Sequence, residues 1–95
     1  MHHVLARITF KPEAAAQGLA IMTELSARSR EEKNCVSYVV YQQAEAPHVF
    51  QTVEAWTDKA AADAHMTTPH VGAAVAAAGP LFGAPPEILA WTQLA

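Results

Sequence analysis

The sequence predicts an α+β domain with the element order β-α-β-β-α-β, and three observations carry that prediction. Four segments rich in branched and aromatic residues alternate with a period of two, as strands do. Two Ala-rich stretches lie between them, each with a proline where the first turn of a helix tolerates it. The chain has 95 residues, which makes one domain over residues 1–95.

The first strand is read from Val4, Ala6, Ile8 and Phe10 alternating with Leu5, Arg7 and Thr9. Pro12 then opens a helix expected from Glu13 to about Lys33, with Ala15, Leu19, Met22, Leu25 and Ser29 on its apolar stripe. Glu13 near its start and Arg28, Arg30 and Lys33 near its end suit the helix dipole. Asn34 is expected as a left-handed residue just past the helix.

Cys35 to Gln43 reads as the second strand, Ala44 to Pro47 as a turn, and His48 to Trp56 as the third strand. In that third strand Phe50, Thr52, Glu54 and Trp56 share one side. Thr57 or Asp58 caps a short helix to about Met66. Thr68-Pro69 starts another helix that runs through the alanines to Ala78 and stops at Gly79-Pro80. Glu87 to Leu94 is the last strand. This order is the split βαβ, or ferredoxin-like, arrangement: a four-stranded antiparallel sheet with its helices on one face. The other face is too apolar for water, so two sheets are expected to close face to face as a homodimeric barrel.

Composition supports a second buried face. Hydrophobic residues make up 52% and charged residues 16%, against about 25% charged in ordinary soluble domains. The formal net charge is −3, with no basic stripe, so a nucleic-acid groove is not expected. No apolar stretch reaches the length of a membrane span, and the start lacks the pattern of a signal peptide, so the expected setting is the cytoplasm. Cys35 is the single cysteine, which excludes an intramolecular disulfide.

Two constellations stand out. Arg7 is the only basic residue in any predicted strand, and the first and third strands are neighbours in this topology. Arg7 and Glu54 are therefore expected as a buried ion pair. His65 and His70 lie five apart with Pro69 between them, which is not the i, i+4 pair of a helical zinc site. No cluster of Asp, Glu or Cys completes a ligand set, so no metal is expected. The serines lack a Gly-x-Ser-x-Gly setting and the glycines form no phosphate loop, which leaves hydrolase and nucleotide chemistry unsupported.

Glu32-x-x-Cys35-x-x-Tyr38, then Glu54-x-Trp56-x-Asp58, then His65 before Thr68-Pro69-His70, resembles the antibiotic biosynthesis monooxygenase domain. Asn34 stands where that family usually shows glycine. The resemblance implies a dimeric α+β barrel that oxidises a quinol or polycyclic phenol with O₂ and no cofactor. An electron-rich phenolate can pass an electron to O₂ itself, so the protein need only desolvate it, orient it and manage protons. The same superfamily holds haem degraders, but the positions matching their haem site are Ala6, His65 and Val75, which leave no haem ligand. It also holds an isomerase of a phosphorylated compound, so proton transfer on a small carbonyl compound is the alternative, with a non-catalytic aromatic-binding barrel as the third. The resemblance implies His65 as the catalytic acid or base. Trp56, Tyr38 and His70 are then expected to bind the substrate, a small aromatic.

Overall fold

The computed structural model describes residues 1–95. The strands are β1 (His2–Thr9), β2 (Cys35–Gln43), β3 (Ala46–Trp56) and β4 (Glu87–Trp91). The helices are α1 (Ala15–Arg30), α2 (Lys59–His65) and α3 (Pro69–Ala78), with short 3₁₀ turns at Pro12–Ala14 and Gly79–Leu81. The sheet is antiparallel in the order β2-β3-β1-β4. The expected ferredoxin-like topology is therefore the observed one.

Several boundaries moved, each for a local reason. α1 stops at Arg30, short of Lys33, because Glu31 and Glu32 fold back in a tight turn onto the carbonyls of Arg28 and Ser29. Asn34 is not left-handed, since no residue has a positive φ; its carbonyl instead accepts from the Thr57 amide at 3.1 Å. β3 begins at Ala46 and contains Pro47, tolerated beside an irregularity in the β2–β3 register at Gln42/Gln43. β4 ends at Trp91 because its partner there is His3, next to the end of β1, and no pairing residue follows.

The buried stripe of α1 is Gly18, Met22, Ser26 and Ser29, not the one centred on Leu19, which is 49% exposed. The cause is Phe10. Its ring is fully buried and lies so close that a Cβ on Gly18 would sit 2.6 Å from it. The helix thus turns its glycine, not its leucine, to the sheet.

Two apolar clusters pack under the helices. Phe10, Ala14, Met22, Phe50 and Ala78 form one, with Phe10 and Phe50 edge to face at 5.6 Å. Val4, Tyr38, Trp56, Ala61 and Ala62 form the other. The opposite face of the sheet carries Val39, Tyr41, Val53, Leu89 and Trp91, all exposed in the single chain.

Register decides which side chains share a face. Val4 pairs with Glu54 and Arg7 with Gln51, so Arg7 and Glu54 point to opposite faces of the sheet. The expected Arg7–Glu54 ion pair is therefore wrong. Adjacency of the two strands was read correctly, but Arg7 and Glu54 lie an odd number of steps out of register.

Candidate functional site

The helix-facing side of the sheet meets α1, α2 and α3 around a cavity of about 280 Å³. Its walls are mostly apolar: Val4, Ala6 and Ile8 from β1, Met22 and Leu25 from α1, Val71, Ala74 and Ala78 from α3, and Ile88 and Ala90 from β4. Its polar groups are His2, Tyr38, Thr52, Glu54 and His65, with Lys59 and Asp63 paired to each other at 2.7 Å and exposed. This is the size and character of a small-molecule site.

His65 reaches it through local hydrogen bonds. Asp58 caps α2 by accepting the Ala61 amide at 2.8 Å. His65 is the last residue of that helix, and its carbonyl accepts from the Thr68 hydroxyl at 2.7 Å. Thr68 in turn caps α3, which brings His70 beside His65 with ring centroids 5.9 Å apart.

Both imidazoles meet one carboxylate oxygen. Glu32 Oε2, in the turn after α1, lies 2.5 Å from His65 Nδ1 and 2.8 Å from His70 Nε2. A carboxylate only accepts, so each contacting nitrogen carries its proton. His65 is thereby held as the tautomer with a bare Nε2. That nitrogen makes no hydrogen bond, and no fully buried side-chain nitrogen or oxygen in the chain lacks a partner, so Nε2 keeps accessible surface on a residue that lines the cavity.

The expectation that no acidic residue joins the two histidines is overturned. Glu32, His65 and His70 offer three ligand atoms within 4.8 Å of one another. Two histidines and one carboxylate are a donor set for a divalent transition metal. Their contacts at 2.5 and 2.8 Å are those of shared protons; ligands on one tetrahedral ion stand roughly 3.3 Å apart, given bonds of about 2.0–2.1 Å. As it stands, the trio is a hydrogen-bonded relay.

Four site residues were expected from the sequence, and two of them line the cavity. His65 is 4% exposed and faces it; Tyr38 forms part of its wall. Trp56 does not line it, contrary to expectation: it is 1% exposed, beneath His65 at 4.6 Å between ring centroids. His70 does not line it either, but sits behind Glu32 toward solvent. Burial, and after it the Glu54 carboxylate, push the Tyr38 phenol well above its ordinary range. Burial also raises the Cys35 thiol, with Glu32 adding to it, which suits an inert cysteine.

The sequence reading missed Glu32 as a partner and Thr52 and Glu54 as cavity groups. Thr52 accepts the Ala6 amide at 3.0 Å and donates to Glu54 Oε2 at 2.6 Å. Trp56 Nε1 donates to Glu54 Oε1 at 3.0 Å. The signal for Glu54 was the shared side of Phe50, Thr52, Glu54 and Trp56. For Glu32 the signal was only its place in the Glu32-x-x-Cys35-x-x-Tyr38 motif, because its partners lie 33 and 38 residues away.

A ferredoxin-like sheet with an apolar cavity beneath its helices and an oriented histidine at one end defines the class: a small α+β binding or catalytic domain. The family model for antibiotic biosynthesis monooxygenase matches residues 1–77, and the chain belongs to that family. A crystal structure of an antibiotic biosynthesis monooxygenase superposes with a TM-score of 0.94 at 27% identity, covering 100% of both chains. PA3566 from Pseudomonas aeruginosa superposes with a TM-score of 0.91 at 29% identity, over 99% of this chain and 94% of that one. The uncharacterized protein sll1783 of Synechocystis is 31% identical over 85 residues, which are 90% of this chain. The chain spans 58% of the length of that relative. No helix is long and apolar enough to cross a membrane.

Proposed function

We propose that the chain is a cofactor-independent monooxygenase that oxidises a small quinol or polycyclic phenol with O₂ inside the cavity. The observation that carries this reading is His65: its Nδ1 is tied to Glu32, which leaves Nε2 free, and the residue lines an apolar cavity. There the nitrogen takes the proton of a phenolic hydroxyl. The desolvated phenolate passes one electron to O₂, and the radical pair joins at a ring carbon that bears hydrogen. His65 returns its proton to the peroxide anion so formed, and the hydroperoxide loses water, made of its outer oxygen, that proton and the ring carbon's hydrogen, which leaves one oxygen atom on the substrate as a carbonyl. Tyr38, protonated and part of the wall, packs against the ring.

The alternative, isomerisation of a phosphorylated carbonyl compound, has less support. The only Lys or Arg on the wall is Lys59, which is exposed and already paired with Asp63. A homodimer through the bare sheet face is part of the proposal, because Val53, Leu89 and Trp91 lie exposed there. So is a cytoplasmic setting, which the free Cys35 suits.

Oxygen uptake with a panel of quinols and hydroxylated polycyclic aromatics tests the activity. His65→Ala is expected to lower turnover about 100-fold or more, the scale of a lost general base. No uptake with any member of the panel would remove the monooxygenase reading, and aromatic binding without turnover would leave the binding barrel.

A further inference from the structure

We infer that Glu54 is the acceptor that anchors the cavity's ligand, and that this ligand presents a hydroxyl or amine donor and carries no anionic group. The inference rests on the reading above that the cavity holds an aromatic molecule. Glu54 is 5% exposed, lines the cavity, and has no Lys, Arg or His within ion-pair distance. Buried carboxylates are normally matched by a cation, since taking an unpaired charge out of water is costly. Here the only matching groups are two neutral donors, one on each oxygen.

The donors fix the direction of the hydrogen bonds. The Thr52 hydroxyl already accepts the Ala6 amide, so its own proton goes to Glu54 Oε2. The Trp56 indole can only donate, so Oε1 also accepts. Each oxygen keeps a second lone pair. Within an apolar wall, the group that can use it is one that enters with the ligand. A neutral phenol or amine gains a charge-assisted bond there. A sulfonate, carboxylate or phosphate meets an uncompensated negative charge. The second carboxylate, Glu32, adds to the same sign, although both histidines share it. The Tyr38 phenol in the wall is pushed up first by its burial and then by the Glu54 charge, which acts on that hydroxyl in the same sense.

The test is direct binding, measured by calorimetry at neutral pH with naphthalene, 1-naphthol, 1-naphthylamine and 1-naphthalenesulfonate. The naphthol and the amine are expected to bind about 10-fold or more tighter than naphthalene, although naphthalene is the more hydrophobic. The sulfonate is expected to bind most weakly. In Glu54→Gln, shown to be folded by its thermal transition, the gap between naphthol and naphthalene narrows and the sulfonate gains. Equal affinity for naphthol and naphthalene in the unaltered protein, or tight binding of the sulfonate, would overturn the role of Glu54 and leave the aromatic cavity standing. Failure of all four compounds to bind would overturn both.

Discussion

Glu32 and His65 stand 33 positions apart in the chain, and their side chains meet at 2.5 Å, Oε2 to Nδ1. The contact joins the turn after α1 to the end of α2 and decides which nitrogen of the histidine faces the cavity. Replacing Glu32 with Gln removes the charge that holds this tautomer. On a confirmed substrate, Glu32→Gln is expected to lower kcat about 10-fold or more, part of the 10²–10⁴ range of a general base. Histidine ¹⁵N chemical shifts provide a readout that needs no substrate: Nδ1 protonation at His65 should dominate in the parent protein and be lost in the variant. An unchanged ¹⁵N spectrum would show that Glu32 does not set the tautomer.

The buried phenol of Tyr38 gives a pH dependence with a definite sign. Burial, and after it the Glu54 carboxylate, raise its pKa in the folded protein above the ordinary phenol value of about 10, so the unfolded chain gives up this proton first as pH rises. Stability is therefore undisturbed below about pH 10 and falls above it, where only the unfolded state is ionised. Alkaline titration followed by tyrosinate absorbance should show a late step that coincides with unfolding. Tyr38→Phe should abolish that step, and its persistence in the variant would assign it elsewhere.

Two glycines are expected to respond to alanine with opposite signs. Gly18→Ala drives a methyl to within 2.6 Å of the immobile Phe10 ring. Overpacking of this kind costs about 1–3 kcal/mol. Gly72, in the exposed part of α3, has nothing within 4 Å of an added Cβ. There alanine should stabilise by about 0.5–1 kcal/mol through helix propensity alone. Denaturant midpoints measure both, and a stabilising Gly18→Ala would contradict the packing described between α1 and Phe10.

The bare sheet face leads to an expected mass. At micromolar concentration, sedimentation should report a dimer of twice the 10.2 kDa chain. Val53→Lys, which puts a charge in the middle of the exposed apolar patch, should shift the species to the monomer while leaving the helical circular dichroism intact. A monomeric parent protein would leave this face without its second copy.

The fold was legible because it depends on periodicity, and periodicity survives errors of one or two residues. β1, β3 and the two capped helices α2 and α3 were read from alternation and from Asp58 and Thr68-Pro69 alone. The site was less legible because it depends on phase. Arg7 and Glu54 were correctly placed on neighbouring strands, but whether two such residues share a face depends on a register that strand boundaries did not supply. Trp56 was expected against the substrate and instead supports His65, since no sequence pattern distinguishes an aromatic that lines a cavity from one that floors the histidine above it. Glu32 drew notice only within a motif. Its meeting with both histidines is a product of tertiary packing.

The bond from the Ala6 amide to Thr52 has a consequence for assembly of the sheet. Thr52 is the register partner of Ala6, and its hydroxyl passes that backbone donor on to Glu54. Sliding β1 by one residue along β3 would turn Thr52 and Glu54 away from Val4 and Ala6, since one step exchanges the faces of a strand. Such a slip would also take the Thr52 hydroxyl away from the buried Ala6 amide and leave that donor short of its acceptor, at a cost of about 1–3 kcal/mol. Misaligned pairings of the two central strands are thus penalised through the same Thr52 hydroxyl that holds the cavity carboxylate. A chain whose sheet has zipped incorrectly would have no working pocket, so correct folding and competence to bind arrive together.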